Sequence, residues 1–240
     1  MIIERYPVDN FTVNVIRDDL ILGGTKSRAC VKYLSQYPNI EEFIYVGPSS
    51  GFSQLAITLA AKLLFKKVTL FVHNTSKITD KCKELGANII YVDNLVNGQF
   101  LAQIYCKQTM MIIPFGLDSE EFNEVLFQEL SQEINFIPTR VWLTVGSGTL
   151  LKVLARIWPN TEFMPVKVGK DYCKEQFGET WNRMGQESRK VLLTAPESFY
   201  QQAKILPPYP SVSNYDAKIW QFVLKYGQDG DYVWNIAADL

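Results

Sequence analysis

The sequence is poor in the residues that most often hold metals or transfer protons: it has one histidine, His73, and four cysteines. Cys30, Cys82, Cys106 and Cys173 are widely spaced and form no Cys-x-x-Cys pair, so the spacing of zinc and redox sites is absent. Reduced, mostly buried thiols are expected. A lone histidine at a strand end is more often structural than catalytic, and His73 is therefore left out of the candidate site.

The chain also has little excess charge and no long apolar run. Its 24 Lys and Arg against 25 Asp and Glu offer no broad attraction for phosphate backbones or acidic lipids, so nucleic acid is not indicated by charge. Residues 1–7 lack the basic segment and apolar core of a signal peptide, and no apolar run reaches the length of a membrane span. We expect a soluble, cytoplasmic protein with no membrane partner.

A repeating order of strand, loop and helix signals extends along most of this globular chain. Its 240 residues, 47% of them hydrophobic, are enough for one large domain or two small lobes. From about residue 42 a β-branched or aromatic run, a loop and an amphipathic stretch alternate, which is typical of a mainly parallel α/β sheet. The expected strands are 43–46, 68–72, 88–92, 110–114, 140–145, 161–168 and 190–194, and the expected helices are 53–65, 76–85, 95–107, 119–134, 149–157 and 215–226.

The first segment that carries chemistry is residues 23–28, with the sequence GGTKSR. Its glycines permit close approach of another group, and Lys26 stands at the start of a predicted helix. A lysine that forms an imine must be unprotonated near neutral pH, and partial burial or a neighbouring cation such as Arg28 lowers its pKa for that purpose. The alternative is a surface turn in which Lys26 is solvated.

The second segment, residues 47–54, has the sequence GPSSGFSQ and joins a strand to a helix. It therefore places hydroxyl groups and backbone amides at the carboxyl edge of the sheet, where α/β proteins bind their ligands. The alternative is that Ser50 or Ser53 caps the helix that follows.

The third segment, residues 145–150, has the sequence VGSGTL and again leads from a strand directly into a helix. The amides and the positive end of a helix in this position can hold a phosphate dianion. The segment lacks the lysine of a P-loop and the third glycine of the dinucleotide fingerprint, so a phosphate monoester suits it better than a pyrophosphate. A simple tight turn is the alternative.

In this order, the three segments resemble the tryptophan-synthase-β-like, fold-type II family of pyridoxal-phosphate enzymes, most closely its aminocyclopropane-carboxylate deaminase and D-cysteine desulfhydrase branch. Residues 23–28 are similar to that branch's Gly-Gly-Asn-Lys-x-Arg segment except at Thr25, and residues 49–54 are similar to its Ser-Asn-His-x-Arg-Gln loop. Residues 146–149 are like its glycine-rich phosphate loop. The resemblance covers nearly the whole chain, in a shortened form.

The resemblance implies pyridoxal 5'-phosphate as the cofactor, carried as a Schiff base on Lys26. Ser49 takes the place of an active-site serine that handles substrate protons or the carboxylate, and Ser50 stands where an asparagine normally hydrogen-bonds the cofactor's ring oxygen. The other cofactor-binding residues are Gly51 and the phosphate-loop residues Gly146, Ser147, Gly148 and Thr149. A homodimer is also implied, since dimers are common in this family.

Near the C-terminus, residues 215–218 (YDAK) are similar to the family's Tyr-x-(Gly or Ala)-Lys segment. The similarity implies that Tyr215 is a catalytic residue facing the substrate and that Asp216 lies near the pyridine nitrogen of the cofactor. Asp216 would keep that nitrogen protonated, which strengthens the ring as an electron sink. The alternative is a helix start capped by Asn214, with Tyr215 and Trp220 packed in the core.

The resemblance implies an α/β fold of two lobes, each with a mainly parallel sheet flanked by helices, and the cofactor in the cleft between them. Residues 1–41 and 119–240 are expected to form the larger, cofactor-binding lobe, and residues 42–118 the smaller lobe. The expected function is lyase or deaminase chemistry at the α-carbon of a small amine or amino-acid substrate. Residues 170–213, which should complete the substrate pocket, show no family motif and leave the reaction open.

Two other functions are retained. One is a phage or viral enzyme acting on an amino acid attached to a modified nucleobase or another carrier, for which the shortened pocket is the hint. Aromatic residues of the C-terminal tail that could stack on bases, if they are not core, are Tyr209, Tyr215, Trp220, Tyr226, Tyr232 and Trp234. The other is a non-catalytic family member, which the missing asparagine at Ser50 favours.

Overall fold

The computed structural model describes residues 1–168 and 192–240 of the chain. Its strands are β1 (Ile3–Val8), β2 (Phe11–Arg17), β3 (Glu42–Val46), β4 (Lys67–Val72), β5 (Asn88–Tyr91), β6 (Met110–Ile113), β7 (Arg140–Val145), β8 (Glu162–Lys167), β9 (Leu193–Thr194) and β10 (Tyr232–Asn235). Its α-helices are α1 (Ser27–Ser35), α2 (Phe52–Leu63), α3 (Lys77–Glu84), α4 (Leu95–Tyr105), α5 (Glu120–Glu133), α6 (Thr149–Ile157) and α7 (Trp220–Tyr226). Short 3-10 turns lie at Asp18–Leu20, Phe115–Leu117 and Asp216–Ile219.

By its internal contacts the chain separates into two compact units. The larger unit consists of Met1–Ile21 and Phe127–Asp239, and the smaller unit of Leu22–Leu126 with the terminal Leu240. These limits differ from the expected lobes because α1 packs against α2 and because Phe122 of α5 lies edge-on to Tyr33 of α1. The segment that carries Lys26 therefore belongs to the smaller unit.

The smaller unit is built on a four-stranded sheet in the order β5-β4-β3-β6, and every neighbouring pair is parallel. All five residues of β3 are buried, as expected for a central strand of a parallel sheet. Helix α3 has the local signals of a helix at both ends: Ser76 accepts a hydrogen bond from the Thr79 amide, and Gly86 follows with a φ of +102°.

The larger unit is built on a six-stranded sheet in the order β1-β2-β10-β7-β8-β9. The β1–β2 pair is antiparallel, and the other neighbours are parallel. Every residue of β7 is buried. Within its core, Arg140 makes a two-pronged ion pair with Asp231, which also accepts a hydrogen bond from the Trp142 indole at 2.7 Å. This pair ties the start of β7 to the start of β10.

These two sheets flanked by helices confirm the predicted α/β class with mainly parallel strands. The alternation of strand and helix signals that begins near residue 42 does not predict β1, β2 or β10. Strand β10, the last in the chain, lies between β2 and β7, so its partners are far away in sequence. The strand expected at 190–194 corresponds to β9, Leu193–Thr194, while residues 190 and 191 lie outside the described residues.

Cys30, Cys82 and Cys106 are free thiols, and the first two are buried; Cys173 lies outside the described residues. Burial raises the pKa of Cys30 to about 12 and that of Cys82 to about 11, so both stay protonated at neutral pH. Across residues 1–168 and 192–240, no cluster of His, Cys, Asp and Glu could hold a metal ion, and no helix could cross a membrane.

Candidate active site

Lys26 is the N-cap of α1, and its side chain is partly buried within the smaller unit. Its Nζ donates a hydrogen bond to Ser53 Oγ at 2.8 Å. Burial lowers the pKa of Lys26 to about 8, although the negative charge of Asp118 opposes this shift. Burial, and not the positive charge of Arg28, is therefore what lowers the pKa of this amine toward neutral pH. Lys26 is not the solvated side chain of a surface turn.

The loop between β3 and α2 is fastened through the carbonyl oxygen of Ser49. That oxygen accepts hydrogen bonds from the side chains of Gln54, Ser76 at 2.6 Å and Thr79 at 3.1 Å. The loop is thus tied to the helix that follows it and to α3. The Ser49 side chain is itself buried, so this serine has a fixed place in the fold.

The serines of this loop do not cap α2. The N-cap residue of α2 is Gly51, and no side chain hydrogen-bonds to the helix there, which excludes the capping role considered for Ser50 and Ser53. Ser50 Oγ and Gln54 Oε1 are buried and have no hydrogen-bond partner within the described part of the chain. Because buried polar atoms nearly always have a partner, a water molecule or a bound group with complementary polar atoms would have to satisfy these two atoms.

The turn after β7 opens directly into α6, a helix of nine residues that begins at Thr149. Gly148 has a φ of +85°, a conformation that glycine adopts without strain. The hydroxyl groups of Ser147 and Thr149 hydrogen-bond to each other at 2.9 Å. Two hydroxyls are therefore combined with backbone amides at the positive end of a helix, and this combination suits a phosphate monoester.

Tyr215 lies over the start of this turn. A Cβ atom at position 146 would come within 2.8 Å of the Tyr215 hydroxyl oxygen. The Tyr215 ring also packs against Phe199, with ring centroids 6.4 Å apart. No side chain caps the 3-10 turn that follows, so Asn214 does not have the capping role considered from the sequence; Trp220 is buried, as that alternative expected.

Asp216 is 2% exposed and carries one unsatisfied oxygen. Its Oδ2 accepts a hydrogen bond from the Ala237 amide at 3.1 Å, whereas Oδ1 has no hydrogen-bond partner among the described residues. Burial raises the pKa of Asp216 well above its usual value, and hydrogen bonding to Ala237 opposes this only in part. The carboxyl group is thus biased toward its protonated form, in which it can donate a hydrogen bond.

The residues predicted from the sequence gather in two groups, one in each unit. Lys26, Ser49, Ser50 and Gly51 lie in the smaller unit, and Gly146, Ser147, Gly148, Thr149, Tyr215 and Asp216 in the larger unit. Two polar residues were not assigned to the site. The sequence offers Ser53 only as a helix cap, and Thr144 lies in strand β7, where its buried hydroxyl is close enough to the Asp216 carboxyl group to influence its pKa.

Three of the six aromatic residues of the C-terminal tail are part of the core. Tyr209 and Trp220 are each 5% exposed and pack edge-on with centroids 5.6 Å apart, and Trp234 is 1% exposed. Enclosed rings cannot stack on an external base, so these three residues do not form the base-stacking surface that the sequence offers as an alternative. Tyr226 is exposed.

No protein-family model matches the chain, and no curated protein matches it. Solved structures match it over nearly its full length. An ACC deaminase homologue has a TM-score of 0.82 at 16% identity, with 98% of this chain and 88% of that chain covered. The threonine deaminase of T.th. has a TM-score of 0.71 at 17% identity, with 95% and 87% covered.

A third structure is diaminopropionate ammonia lyase from Escherichia coli in complex with an aminoacrylate-PLP azomethine reaction intermediate. Its TM-score is 0.66 at 15% identity, with 95% of this chain and 80% of that chain covered. At these identities the likeness shows the fold. The chain has the fold of fold-type II pyridoxal-phosphate enzymes, as its motifs predict, in a form of 240 residues.

Proposed function

We propose that this chain binds pyridoxal 5'-phosphate covalently through Lys26 and acts at the α-carbon of an amino acid or a related amine. The observation that carries the proposal is the Lys26 amine, which burial brings to a pKa of about 8 and which Ser53 holds at 2.8 Å. An amine that is partly neutral near physiological pH can attack the aldehyde carbon of this cofactor. The fold shared with deaminases and an ammonia lyase supports the lyase or deaminase class.

The residues present fit this cofactor. The turn at Gly146–Thr149 would hold the phosphate group, because its hydroxyls and the positive end of α6 complement a dianion. The unsatisfied Ser50 Oγ would serve the ring oxygen, where the resembled family has an asparagine, and the unsatisfied Oδ1 of Asp216 would serve the ring nitrogen. When bound, the cofactor supplies an electron sink for a carbanion at the α-carbon of the substrate.

Asp216 suits a partnership with a ring nitrogen. Its buried carboxyl group has a raised pKa and therefore keeps its proton without a partner. If Asp216 faced a pyridine nitrogen, its carboxyl group and that nitrogen would share this proton in one hydrogen bond. The resulting ion pair would satisfy the buried carboxyl oxygen.

Once the amine of the substrate has replaced it on the cofactor, the freed Lys26 would also act as the base, since an amine with a pKa of about 8 can both take up and release a proton at neutral pH. We assign Ser49 and Tyr215 to the transfer of substrate protons or to the substrate carboxylate. The Ser49 backbone is anchored by three side-chain donors, and Tyr215 is held against Phe199, so both side chains start from fixed positions. Fixed geometry is the main contribution that a protein adds to such a cofactor.

The experiment compares the wild-type protein with Lys26→Ala after addition of pyridoxal 5'-phosphate. We expect a visible absorption band in the wild type and none in the variant. Borohydride reduction followed by peptide mapping should find the cofactor on Lys26. The matched control is Lys32→Ala, which removes an exposed lysine of the same helix and should keep the band. A wild-type protein that traps no cofactor would refute the proposal.

The position of the chemistry is tested by hydrogen exchange. The loaded protein is incubated in D2O with a panel of amino acids, and exchange of the α-proton is followed by NMR. We expect exchange with at least one free amino acid and loss of exchange in Lys26→Ala. Exchange only with an amino acid attached to a carrier would instead favour the carrier-bound substrate, and absence of all exchange in a loaded protein would favour the non-catalytic alternative.

We also propose a homodimer, which the family resemblance supports. Sedimentation equilibrium should then give a species of twice the monomer mass of 27.5 kDa. A mass equal to that of one chain across the concentration range would contradict it.

A further inference from the structure

The Lys26 amine meets Ser53 because two segments of the smaller unit approach each other unusually closely. Helix α1 packs against α2, and the turn before α1 contains Gly23 with a φ of +87°. A Cβ at Gly23 would lie 2.4 Å from Ser27 Oγ and 3.2 Å from both the backbone nitrogen and the Cα of Ala56. The absence of a side chain therefore lets the turn lie directly on α2, one helical turn beyond Ser53.

Ser53 is itself held by Tyr45, the fourth residue of β3. The buried Tyr45 hydroxyl accepts a hydrogen bond from the Gly116 amide at 3.2 Å and forms a second hydrogen bond with Ser53. Gly47 makes room for this arrangement, since a Cβ there would come within 3.0 Å of the Tyr45 hydroxyl oxygen. A chain of hydrogen bonds thus runs from the backbone of Gly116 to the Lys26 amine.

A hydroxyl group is well matched to an amine that exists in two protonation states. Ser53 Oγ has two lone pairs and one proton. It accepts a hydrogen bond when Lys26 is charged, and it can donate one to the nitrogen lone pair when Lys26 is neutral. Carboxylate or guanidinium groups would each favour one state only. The loop that residues 49–54 resemble has arginine at this position, so the serine is a feature of this chain.

We propose that Ser53, held in place by Tyr45, is a positioning residue that fixes the direction of the Lys26 amine. The inference rests on the proposed function, because Lys26 is there the residue that bonds the cofactor. Asp118, whose charge acts on Lys26, is not altered by a change at Ser53. The hydroxyl can therefore be removed without altering the charges around the amine.

The first measurement needs no cofactor. The pH dependence of Lys26 acetylation by a trace reagent, read by peptide mass spectrometry, gives the pKa of its amine. The hydrogen bond that Ser53 accepts from the charged amine is charge-assisted and therefore stronger than the one it donates to the neutral amine, so Ser53→Ala should lower this pKa by about 0.5–1. Ser53→Thr keeps the hydroxyl and should restore the wild-type value, and Tyr45→Phe should shift it in the same direction by a smaller amount.

The second measurement is the rate at which the visible band forms with pyridoxal 5'-phosphate. Measured above pH 9, where Lys26 is neutral in all variants, Ser53→Ala should react about tenfold more slowly than the wild type because its amine is no longer directed. Thr58→Val is the matched control: it removes a buried hydroxyl of the same helix, which bonds the Gln54 carbonyl oxygen, and should leave the rate unchanged. Circular dichroism would establish that each variant is folded.

The two measurements distinguish a failure of the positioning role of Ser53 from a failure of the proposed function. If the wild type forms no band while Ser53→Ala still lowers the pKa of Lys26, the hydrogen bond is supported and the proposed function is wrong. If the band forms but neither the pKa nor the rate differs between Ser53→Ala and the wild type, the positioning role is refuted. Equal defects in Ser53→Ala and Ser53→Thr would refute it as well, because the hydroxyl would not be the cause.

Discussion

The Tyr215 hydroxyl occupies space that a side chain at Gly146 would need. The phenolic oxygen lies 2.8 Å from the position of a Cβ on residue 146, and the nearest ring carbons lie 3.4 and 3.5 Å from it. Gly146 is not among the glycines with a positive φ. Its lack of a side chain is therefore required by the tyrosine and not by the backbone conformation.

Gly146→Ala should destabilise the protein by about 1 kcal/mol, because the tyrosine must shift to admit the methyl group. In a Tyr215→Phe background the remaining contacts are ordinary, so the cost of the same change should fall close to zero. Urea unfolding of the four proteins in this double-mutant cycle gives the coupling, which we expect to be about 1 kcal/mol. Strict additivity would show that the hydroxyl does not occupy this space.

Gly23→Ala tests the approach of the Lys26 segment to α2. Two glycines with similar positive φ angles offer a matched pair. Gly86 has nothing within 4 Å of a Cβ, whereas a Cβ at Gly23 would meet the Ala56 backbone at 3.2 Å and Ser27 Oγ at 2.4 Å, and the Ser27 side chain can rotate away. Both substitutions should cost about 1 kcal/mol for the left-handed conformation, and Gly23→Ala should cost about 1–3 kcal/mol more. Equal losses of unfolding free energy would mean that the turn does not lie tightly on α2.

The pH dependence of cofactor attachment follows from the pKa of Lys26, which burial lowers to about 8. At pH 7 about one tenth of the amine is neutral, so the rate should rise about tenfold from pH 7 to a plateau near pH 9. An ordinary lysine would still be gaining reactivity at pH 10. The initial rate of the visible band as a function of pH measures this midpoint, and Nα-acetyllysine serves as the unperturbed control. A midpoint near 10 would show that the amine is solvated.

Asp216→Asn should alter how stability depends on pH in the cofactor-free protein. Burial raises the pKa of Asp216 well above its usual value, so the native state keeps a proton that the unfolded chain has lost. Native Asp216 therefore destabilises the protein increasingly as the pH rises above its unfolded pKa, and asparagine removes this effect. The unfolding free energy of the variant relative to the wild type should increase from pH 4 to pH 8. A constant difference would indicate an unshifted carboxyl group.

Local sequence patterns predict much of the fold, and the structure contains the elements that they predict. The helix predicted at 149–157 is α6 with the same limits. Ser119, where another helix is predicted to begin, accepts a hydrogen bond from the Phe122 amide at 3.2 Å. Central strands such as β3 and β7 are fully buried, and their continuous apolar runs therefore identify them. By contrast, β10 is a short strand whose neighbours β2 and β7 are distant in sequence, and no local signal specifies such pairing.

In the candidate site, too, some features could be predicted from the sequence and others could not. Glycines next to Lys26 and Gly148 before a helix indicate where a carbonyl group and a phosphate could bind, because these short motifs depend on backbone conformation alone. The partner of Lys26 could not be predicted, since Ser53 is 27 residues away and reaches the amine only through the packing of α1 on α2. The same holds for Thr144 and Asp216, which face each other across elements distant in the chain.

By itself, the sequence determined the α/β architecture and singled out Lys26 as the candidate for the reactive amine, because periodicity and short motifs depend only on neighbouring residues. Tertiary structure alone decided how that amine behaves: its pKa depends on burial among groups brought together by helix packing. It also decided which polar atoms are left unsatisfied, at Ser50 and Asp216, since hydrogen bonding is settled by three-dimensional neighbours and not by residue type.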